Sequence, residues 1–336
     1  MGMDARRWTL SKRPVQTPEP SDFFLEEYSI DEPSVGVVNV RVEYHSISLG
    51  ISGRLTGENH PQSVPIGGVI PGLGVGVVEA SNHPDFAVGE RTIGEFGWAT
   101  HAAVDGKTLQ KLDPQMFDEG VPSSASLDIL GNPGLTAYFG ITRVAEVKSG
   151  MTVLISSAAG PVGSAAGQFA KVLGCRVVGI AGSDEKCASL IEQFGFDDAI
   201  NYRTRADLAA AIAEKCPKGV DVYFDNVGGE TTDAALRNMR MFGKIAVCGQ
   251  TSEYNRNPPR GLREIGLIIS HRVTLQGFVL YDYLQDFALA RAQIAEWMRE
   301  GKVRHLPTII PEIESAVEAF IARFSGTQGA RPIIRP

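Results

Sequence analysis

The sequence predicts a two-domain α/β protein, a largely β lobe followed by a doubly wound parallel-sheet domain, and three observations carry this. Its 336 residues exceed the roughly 250 to 300 at which a single hydrophobic core usually stops growing. Between residues 36 and 112, short β-branched runs are broken by Gly and Pro, the pattern of a β lobe. From Met151 onward, apolar runs of strand length alternate with segments of helix length, the signature of βαβ units on a parallel sheet.

Taken in order, the first lobe offers strands at 37–44, 75–79 and 91–96. The second offers strands at 153–157, 176–181, 199–201, 220–225 and 244–249, with helices at 162–173, 184–194, 206–215 and 231–241. Residues 249–263, containing Pro258 and Pro259, form a polar loop directly after a sheet strand, where a doubly wound fold places its ligand crevice. Next come a strand at 273–280 and a long helix ending near Gly301. The tail holds a strand at Ile309 and Ile310 and a helix at 312–324, and it returns to the first lobe. The domain bounds that follow are 1–128 with 306–336 for the β lobe and 129–305 for the parallel-sheet domain. No internal repeat or low-complexity tract interrupts the pattern.

Composition narrows the function classes. Hydrophobic residues make up 43% and charged ones 21%, with 37 glycines, values of a globular chain rich in tight turns. A formal charge of −7 supplies no concentrated basic face for a nucleic-acid backbone. The N-terminal stretch through Arg6, Arg7, Trp8, Lys12 and Arg13 has no apolar core of a leader, and no run approaches 18 apolar residues, so a cytoplasmic protein without membrane contact is expected. The four cysteines, Cys175, Cys187, Cys216 and Cys248, show no C-x-x-C pair, which argues against a disulfide framework or a cysteine-rich zinc lobe and for small buried apolar residues.

The sharpest motif is VLISSAAGPVGSAAG at 153–167, a strand, a tight turn and a small-residue helix. Ala158, Gly160 and Gly163 occupy the three glycine places of the Rossmann fingerprint G-x-G-x-x-G, with alanine in the first. Gly160 lets the backbone approach a pyrophosphate, Gly163 allows close helix–strand packing, and the helix N-terminus offers free N–H groups to phosphate. Sites for NAD carry an acidic residue at the end of the following strand, which binds the ribose 2′-OH. This chain has Gly182 and Ser183 there, with Lys186 nearby. Glycine leaves room for a 2′-phosphate and lysine can bind it, so NADP is favoured. Equally, Ser183 can cap the next helix, with Asp184 and Glu185 in its first turn and Lys186 solvated.

GNPGLTAYFG (131–140), AAGPVGSAAGQFAK (158–171), GCRVVGIAGSDEK (174–186), YFDNVGGE (223–230) and CGQTSEYN (248–255) together resemble the leukotriene B4 dehydrogenase, prostaglandin reductase and curcumin reductase branch of the zinc-independent medium-chain dehydrogenase/reductases. The resemblance covers nearly the whole chain. It implies a GroES-like β-rich domain enclosing a cleft against a Rossmann domain, NADPH as cofactor, a homodimer, and reduction of the C=C bond of α,β-unsaturated ketones or aldehydes by hydride transfer to the β-carbon. Carried over residue by residue, it assigns Gly160, Pro161, Val162 and Gly163 to the pyrophosphate and Lys186 and Tyr202 to the 2′-phosphate. Thr136, Phe278, Val279 and Leu280 match positions near the nicotinamide. Asn226, Cys248 with Gly249, and Tyr254 match further cofactor contacts. Phe278 and Val279 would equally suit a core strand.

The family lacks catalytic zinc. Here 66–78 (IGGVIPGLGVGVV) contains no histidine and no cysteine precedes Cys175, whereas zinc-dependent relatives carry an early cysteine and a Gly-His-Glu segment. The six histidines show no ligand spacing, so no metal is expected. Departures fall at the substrate. Where these reductases read Asp-Pro-Tyr-Met-Arg, the chain has Gly50, Ile51, Ser52, Gly53 and Arg54; a second pocket tyrosine is Ser270, and Thr327 stands where asparagine is usual. With Ser52 and Ser270 in the tyrosine places, the donor to the enone oxygen becomes Tyr254, the ribose hydroxyl or a water, with Tyr281 as a further candidate. Arg54 either holds an acidic substrate tail or is solvated or salt-bridged. Two other readings remain open: a quinone or carbonyl reductase on the same fold, and an NADPH-binding protein without catalysis.

Overall fold

Strand β1 (Met3–Leu10) pairs antiparallel with β2 (Phe23–Ile30). Strand β3 (Val37–Ser46) is the hub of a second, seven-stranded sheet, and the short helix α1 (Ser52–Thr56) follows it. Four further strands complete the early part of that sheet: β4 (Leu73–Ser81), β5 (Arg91–Glu95), β6 (His101–Asp105) and β7 (Gln110–Lys111). Period-two alternation explains β3: Val38, Val40 and Val42 are buried on one face against Val78, Phe86, Phe96 and Ala102, while Arg41 is exposed. The computed structural model describes residues 3–15, 17–57, 60–118, 120–254, 258–324 and 332–336. The chain divides into two compact units, Met1–Leu127 with Leu306–Pro336, and Asp128–His305.

The second unit begins with helix α2 (Asn132–Phe139) and strand β8 (Thr152–Ile155). Three βα repeats follow: α3 (Pro161–Val172), β9 (Arg176–Ala181), α4 (Asp184–Glu192), β10 (Asp198–Asn201), α5 (Leu208–Lys215) and β11 (Val220–Asp225). The unit ends with α6 (Gly229–Leu236), β12 (Met239–Val247), α7 (Ile265–His271), β13 (Thr274–Gly277) and α8 (Phe287–Arg299). All neighbours in this sheet pair parallel, in the order β10-β9-β8-β11-β12-β13. Strand order therefore reverses between β8 and β11, which puts a topological switch point at their carboxyl ends. Every residue of β8 is buried, as expected of a central strand covered on both faces.

The tail rejoins the first unit. Strand β14 (Thr308–Pro311) leads through a 3-10 turn at Ile313–Ser315 into helix α9 (Ala316–Phe324) and strand β15 (Pro332–Arg335), and β15 pairs antiparallel with β3. Phe320 of α9 packs edge-on against Trp98 at 5.4 Å and Phe23 at 6.3 Å. The Trp8 indole N–H donates to the Ile313 carbonyl at 2.7 Å. Burial of these aromatic rings, worth roughly 2 kcal/mol or more each, fixes the C-terminal segment to the unit.

Several elements differ from the sequence expectation. The helix predicted at 231–241 stops at Leu236, because the Asn238 amide donates to the carbonyls of Ala209 and Ala234 at 3.0 Å each and its own carbonyl receives Val220 N–H. Met239 onward is strand β12, which ends at Val247 because Cys248 and Gly249 N–H turn to the Asp225 carbonyl at 2.8 and 3.0 Å. The helix predicted from residue 206 starts at Leu208, where Asp207 caps it by accepting Ala210 N–H at 3.0 Å. The strand predicted through residue 280 ends at Gly277, so Phe278 and Val279 are not core-strand residues: Val279 is 58% exposed, and Leu280 opens a 3-10 segment. Of the cysteines read as buried, Cys175 and Cys216 are buried and Cys187 and Cys248 only half-buried.

Candidate cofactor and catalytic site

The glycine turn sits between β8 and α3. Ser157 adopts φ +49°, a left-handed conformation that costs a non-glycine residue about 1 kcal/mol or more and that clusters at functional turns. Gly160 is the N-cap of α3, and the first helical hydrogen bond runs from Ser164 N–H to Gly160 O at 2.9 Å. Pro161 brings no N–H, so the amides of Val162 and Gly163 are the first-turn donors left for an anion. A Cβ on Gly163 would stand 2.4 Å from the Ser157 carbonyl oxygen and 2.8 Å from Ala158 Cα. Ala158, in the first glycine place, is buried with its methyl against Gly179, where an added Cβ would come within 2.9 Å. The missing first glycine is thus compensated by a glycine in the neighbouring strand.

At the end of β9, Ser183 caps α4 by accepting Lys186 N–H at 3.3 Å, as the capping reading of this turn expects. Gly182 faces Tyr202: an added Cβ would lie 3.2 Å from Tyr202 Cε1, 3.4 Å from its hydroxyl and 3.6 Å from Arg203 Nε. Both residues belong to the 3-10 turn Tyr202–Thr204, whose cap Asn201 accepts Arg203 N–H at 3.1 Å and donates to Asp184 at 2.8 Å. Arg203 escaped the sequence reading because an arginine in a polar turn reads as solvated.

The end of β11 is organised by a group that sequence reasoning also missed. Buried Asp225 accepts from Tyr223 OH, Val227 N–H and Gly228 N–H at 2.9 Å each, from Ser156 Oγ at 3.3 Å, and through its other oxygen from Thr232 Oγ at 2.5 Å. Burial, with the Asp225 charge, holds the Tyr223 phenol well above its ordinary pKa. The signal available in the sequence was an acid closing an apolar strand before Gly228 and Gly229, which take φ of +76° and +55°. Asn226, predicted as a cofactor contact, is buried and its amide donates to the Ser156 carbonyl at 2.7 Å. Burial, then the nearby Asp225 charge, pushes the Cys248 thiol up to about 12, so it is a neutral thiol. An added Cβ on Gly249 would be 3.2 Å from the Tyr254 hydroxyl. Beyond Tyr254 the loop is held by Arg260, whose guanidinium donates to Asp233 at 2.7 Å with both side chains 8% exposed.

The candidate proton donors separate by what their hydroxyls already do. Ser52 donates to the Leu49 carbonyl at 2.6 Å and Ser270, within α7, to the Leu267 carbonyl at 3.4 Å. Thr136 donates back into α2, to the Asn132 carbonyl at 2.7 Å. The Tyr254 and Tyr281 hydroxyls instead accept, from Gln250 N–H at 3.3 Å and from the Asn132 amide at 3.4 Å, which leaves their protons for another acceptor. Both rings are exposed. Phe278 is half-buried, edge-on to Phe224 at 6.4 Å. Arg54 is salt-bridged: its guanidinium pairs with Glu95 at 2.9 and 3.3 Å and its Nε donates to the Gln62 carbonyl. A groove of about 750 Å³ in the first unit, walled by Arg7, Tyr28, Asn39, Arg54, Glu95 and Ala103 among others, has its arginines self-paired, Arg7 on Glu26 and Arg54 on Glu95. Thr327 lies outside the described residues.

Two family models match, "N-terminal domain of oxidoreductase" over residues 6–112 and "Zinc-binding dehydrogenase" over residues 161–296. The NADPH-dependent curcumin reductase of Escherichia coli is 36% identical, over 98% of this chain and 96% of its own length. The NADP-dependent 2-alkenal reductase of Nicotiana tabacum is 39% identical over 82% of this chain and 80% of its own. The structure of CurA from Vibrio vulnificus in complex with NADPH superposes with a TM-score of 0.84 at 34% identity, covering 98% of both chains. The chain belongs to the zinc-independent branch of the medium-chain dehydrogenase/reductases. Its two units are the GroES-like and Rossmann domains of that family. Among the described residues, no group of three or more His, Cys, Asp or Glu stands where it could hold a metal ion, and no helix is long and apolar enough to cross a membrane. The hydroxyls of Ser52 and Ser270, the residues expected in the two tyrosine places, are both turned into local backbone.

Proposed function

We propose that this chain is an NADPH-dependent reductase of the C=C bond of α,β-unsaturated ketones and aldehydes. The observation that carries the cofactor is the end of β9, where Gly182 is faced by Tyr202 and Arg203 and no carboxylate occupies the ribose position. The residues fit the group: the glycine turn closes on backbone at Gly163 and leaves two free amides at the start of α3 for a pyrophosphate. Lys186, Tyr202 and Ser183 would hold the adenosine end, with Thr136, Phe278, Val279 and Leu280 toward the nicotinamide. Curcumin and a 2-alkenal, the molecules named for two relatives, share a C=C conjugated to a carbonyl, which supports the substrate class.

Bound NADPH supplies the hydride for the β-carbon. The protein must orient the conjugated carbonyl and place a donor where negative charge grows on its oxygen. Tyr254 serves as that donor, since its hydroxyl accepts from Gln250 and keeps its own proton available. The Arg260–Asp233 pair fixes the base of the loop that carries it. A Tyr254→Phe variant is expected to lower kcat for an enone by about 10- to 100-fold while NADPH affinity changes little; full turnover in this variant would remove Tyr254 from the role. NADPH consumption with products identified across enones, enals and quinones tests the reaction itself, with a saturated ketone or aldehyde as the expected product.

The same reading places the protein in the cytoplasm as a homodimer. Strand β13 is the edge of the six-stranded sheet, with Thr274 and Gln276 exposed, and Ile265 and Ile269 on the preceding α7 are exposed apolar residues. An open edge beside apolar surface is what a second copy would cover. Light-scattering mass in solution reads it directly, and a monomer would end the proposal.

A further inference from the structure

We infer that Arg203 is a second cation for the cofactor's 2′-phosphate and, with Tyr202, sets the preference for NADPH over NADH. The inference rests on the NADPH reading above. Parallel register pairs Asn201 of β10 with Ala181 of β9, so Tyr202 and Arg203 are the residues that leave the sheet alongside Gly182. Their turn is fixed by Asn201, whose side chain accepts Arg203 N–H and donates to Asp184. The Tyr202 hydroxyl and Arg203 Nε thereby both come within 3.6 Å of the point where a side chain at Gly182 would begin. A carboxylate on that side chain is what reads the ribose 2′-OH in NAD sites. Here the same space is empty of side chain and bordered by a phenol and a guanidinium.

The charge state of the surroundings supports the assignment. Among the described residues Arg203 forms no salt bridge, and its guanidinium lies 5.9 Å from the Tyr202 ring centroid. Charged groups close to it in the chain or its turn are engaged elsewhere: Arg205 pairs with Glu214 at 3.4 Å, and Asp184 is bonded to Asn201. A planar guanidinium suits bidentate contact with phosphate oxygens, and stacking along Tyr202 holds it there in advance.

Equilibrium binding of adenosine 2′,5′-bisphosphate and of 5′-AMP to the full chain, measured calorimetrically, tests the inference without turnover. The wild type is expected to bind the bisphosphate at least 10-fold tighter than AMP. Arg203→Gln is expected to weaken the bisphosphate by roughly 10- to 100-fold, the range of a charge-assisted contact, and AMP by less than about twofold, while Arg203→Lys recovers part of the loss. An unchanged bisphosphate-to-AMP ratio in Arg203→Gln overturns the assignment, as does equal weakening of both ligands, which would mark a role in the turn alone. A wild type that fails to distinguish the two ligands overturns the NADPH reading as well.

Discussion

Replacing Asp225 isolates what organises the switch-point loops. In the native unit its carboxylate serves the hydroxyls of Tyr223 and Thr232, both at most 1% exposed, and the amides of Val227 and Gly228. Asp225→Ala orphans these four donors, while the Ser156 hydroxyl, 3.3 Å from the carboxylate, retains the Phe224 carbonyl at 3.5 Å. Each unsatisfied buried donor costs about 1 to 3 kcal/mol, and a water in the vacated space satisfies two or three of them, so the net loss is about 3 to 5 kcal/mol. Asp225→Asn is different. With its oxygen in the place that serves Tyr223 and the two amides, its NH₂ faces Thr232, whose hydroxyl can turn and accept, and the loss falls to about 1 to 2 kcal/mol. Because two units need not unfold together, the suitable assay is urea-dependent hydrogen exchange in peptides of β8 and β11, which scores this unit alone. Equal losses for the two variants, or less than about 1 kcal/mol for Asp225→Ala, would refute the view that the carboxylate is the acceptor these donors require.

Three other outcomes follow from the same geometry. Gly163→Ala pushes a methyl into backbone at 2.4 and 2.8 Å and is expected to cost about 1 to 3 kcal/mol, whereas Gly160→Ala, whose Cβ would meet Ser157 O at 3.2 Å, costs less than about 1; a reversed order in denaturant titration would contradict the packing argument. Gly182→Asp places a carboxylate beside Tyr202 and Arg203 and is expected to lower NADPH affinity on the order of 100-fold while raising NADH affinity, read by fluorescence titration; unchanged selectivity would mean that this position does not face the ribose. His45, fully buried, is lowered to about 4 by burial; its Nε2 lies 2.5 Å from the Ala99 carbonyl and 3.2 Å from the Ala99 N–H, while Nδ1 has no partner among the described residues. Between pH 6.5 and about 4 the unfolded chain binds the extra proton and the folded one does not, so stability falls by up to about 3 kcal/mol as pH drops through this window; a His45→Gln variant whose acid sensitivity equals wild type in pH-dependent melts would assign that loss elsewhere.

Fold class was legible because period-two and strand–helix alternation are properties of many residues at once, and no single contact had to be foreseen. Boundaries were set by individual side chains. Asn238 ends α6 through bonds to two carbonyls, one of them in another helix, and no local propensity encodes that partner. Phe278 and Val279 fall inside the stretch 273–280 that reads as one strand, yet β13 stops at Gly277 and the chain turns. Tertiary pairing overrode the pattern in both places.

The two halves of the candidate site differ in legibility for a physical reason. Pyrophosphate binding would use backbone amides and need glycine where a Cβ would meet backbone, so residue identity alone can signal it, and Gly163 is such a place, with Ser157 O 2.4 Å from an added Cβ. Proton donation depends on where a hydroxyl points. Ser52, Ser270, Thr136, Tyr254 and Tyr281 are indistinguishable in sequence as hydroxyl donors, but three of them are bonded to carbonyls of their own turns and two accept instead. Tyr254 and Tyr281, whose hydroxyls accept, are therefore the donors proposed, and comparison of Tyr254→Phe with Tyr281→Phe decides between them: the variant that loses kcat at unchanged NADPH affinity names the donor, and loss in neither would leave proton delivery to solvent.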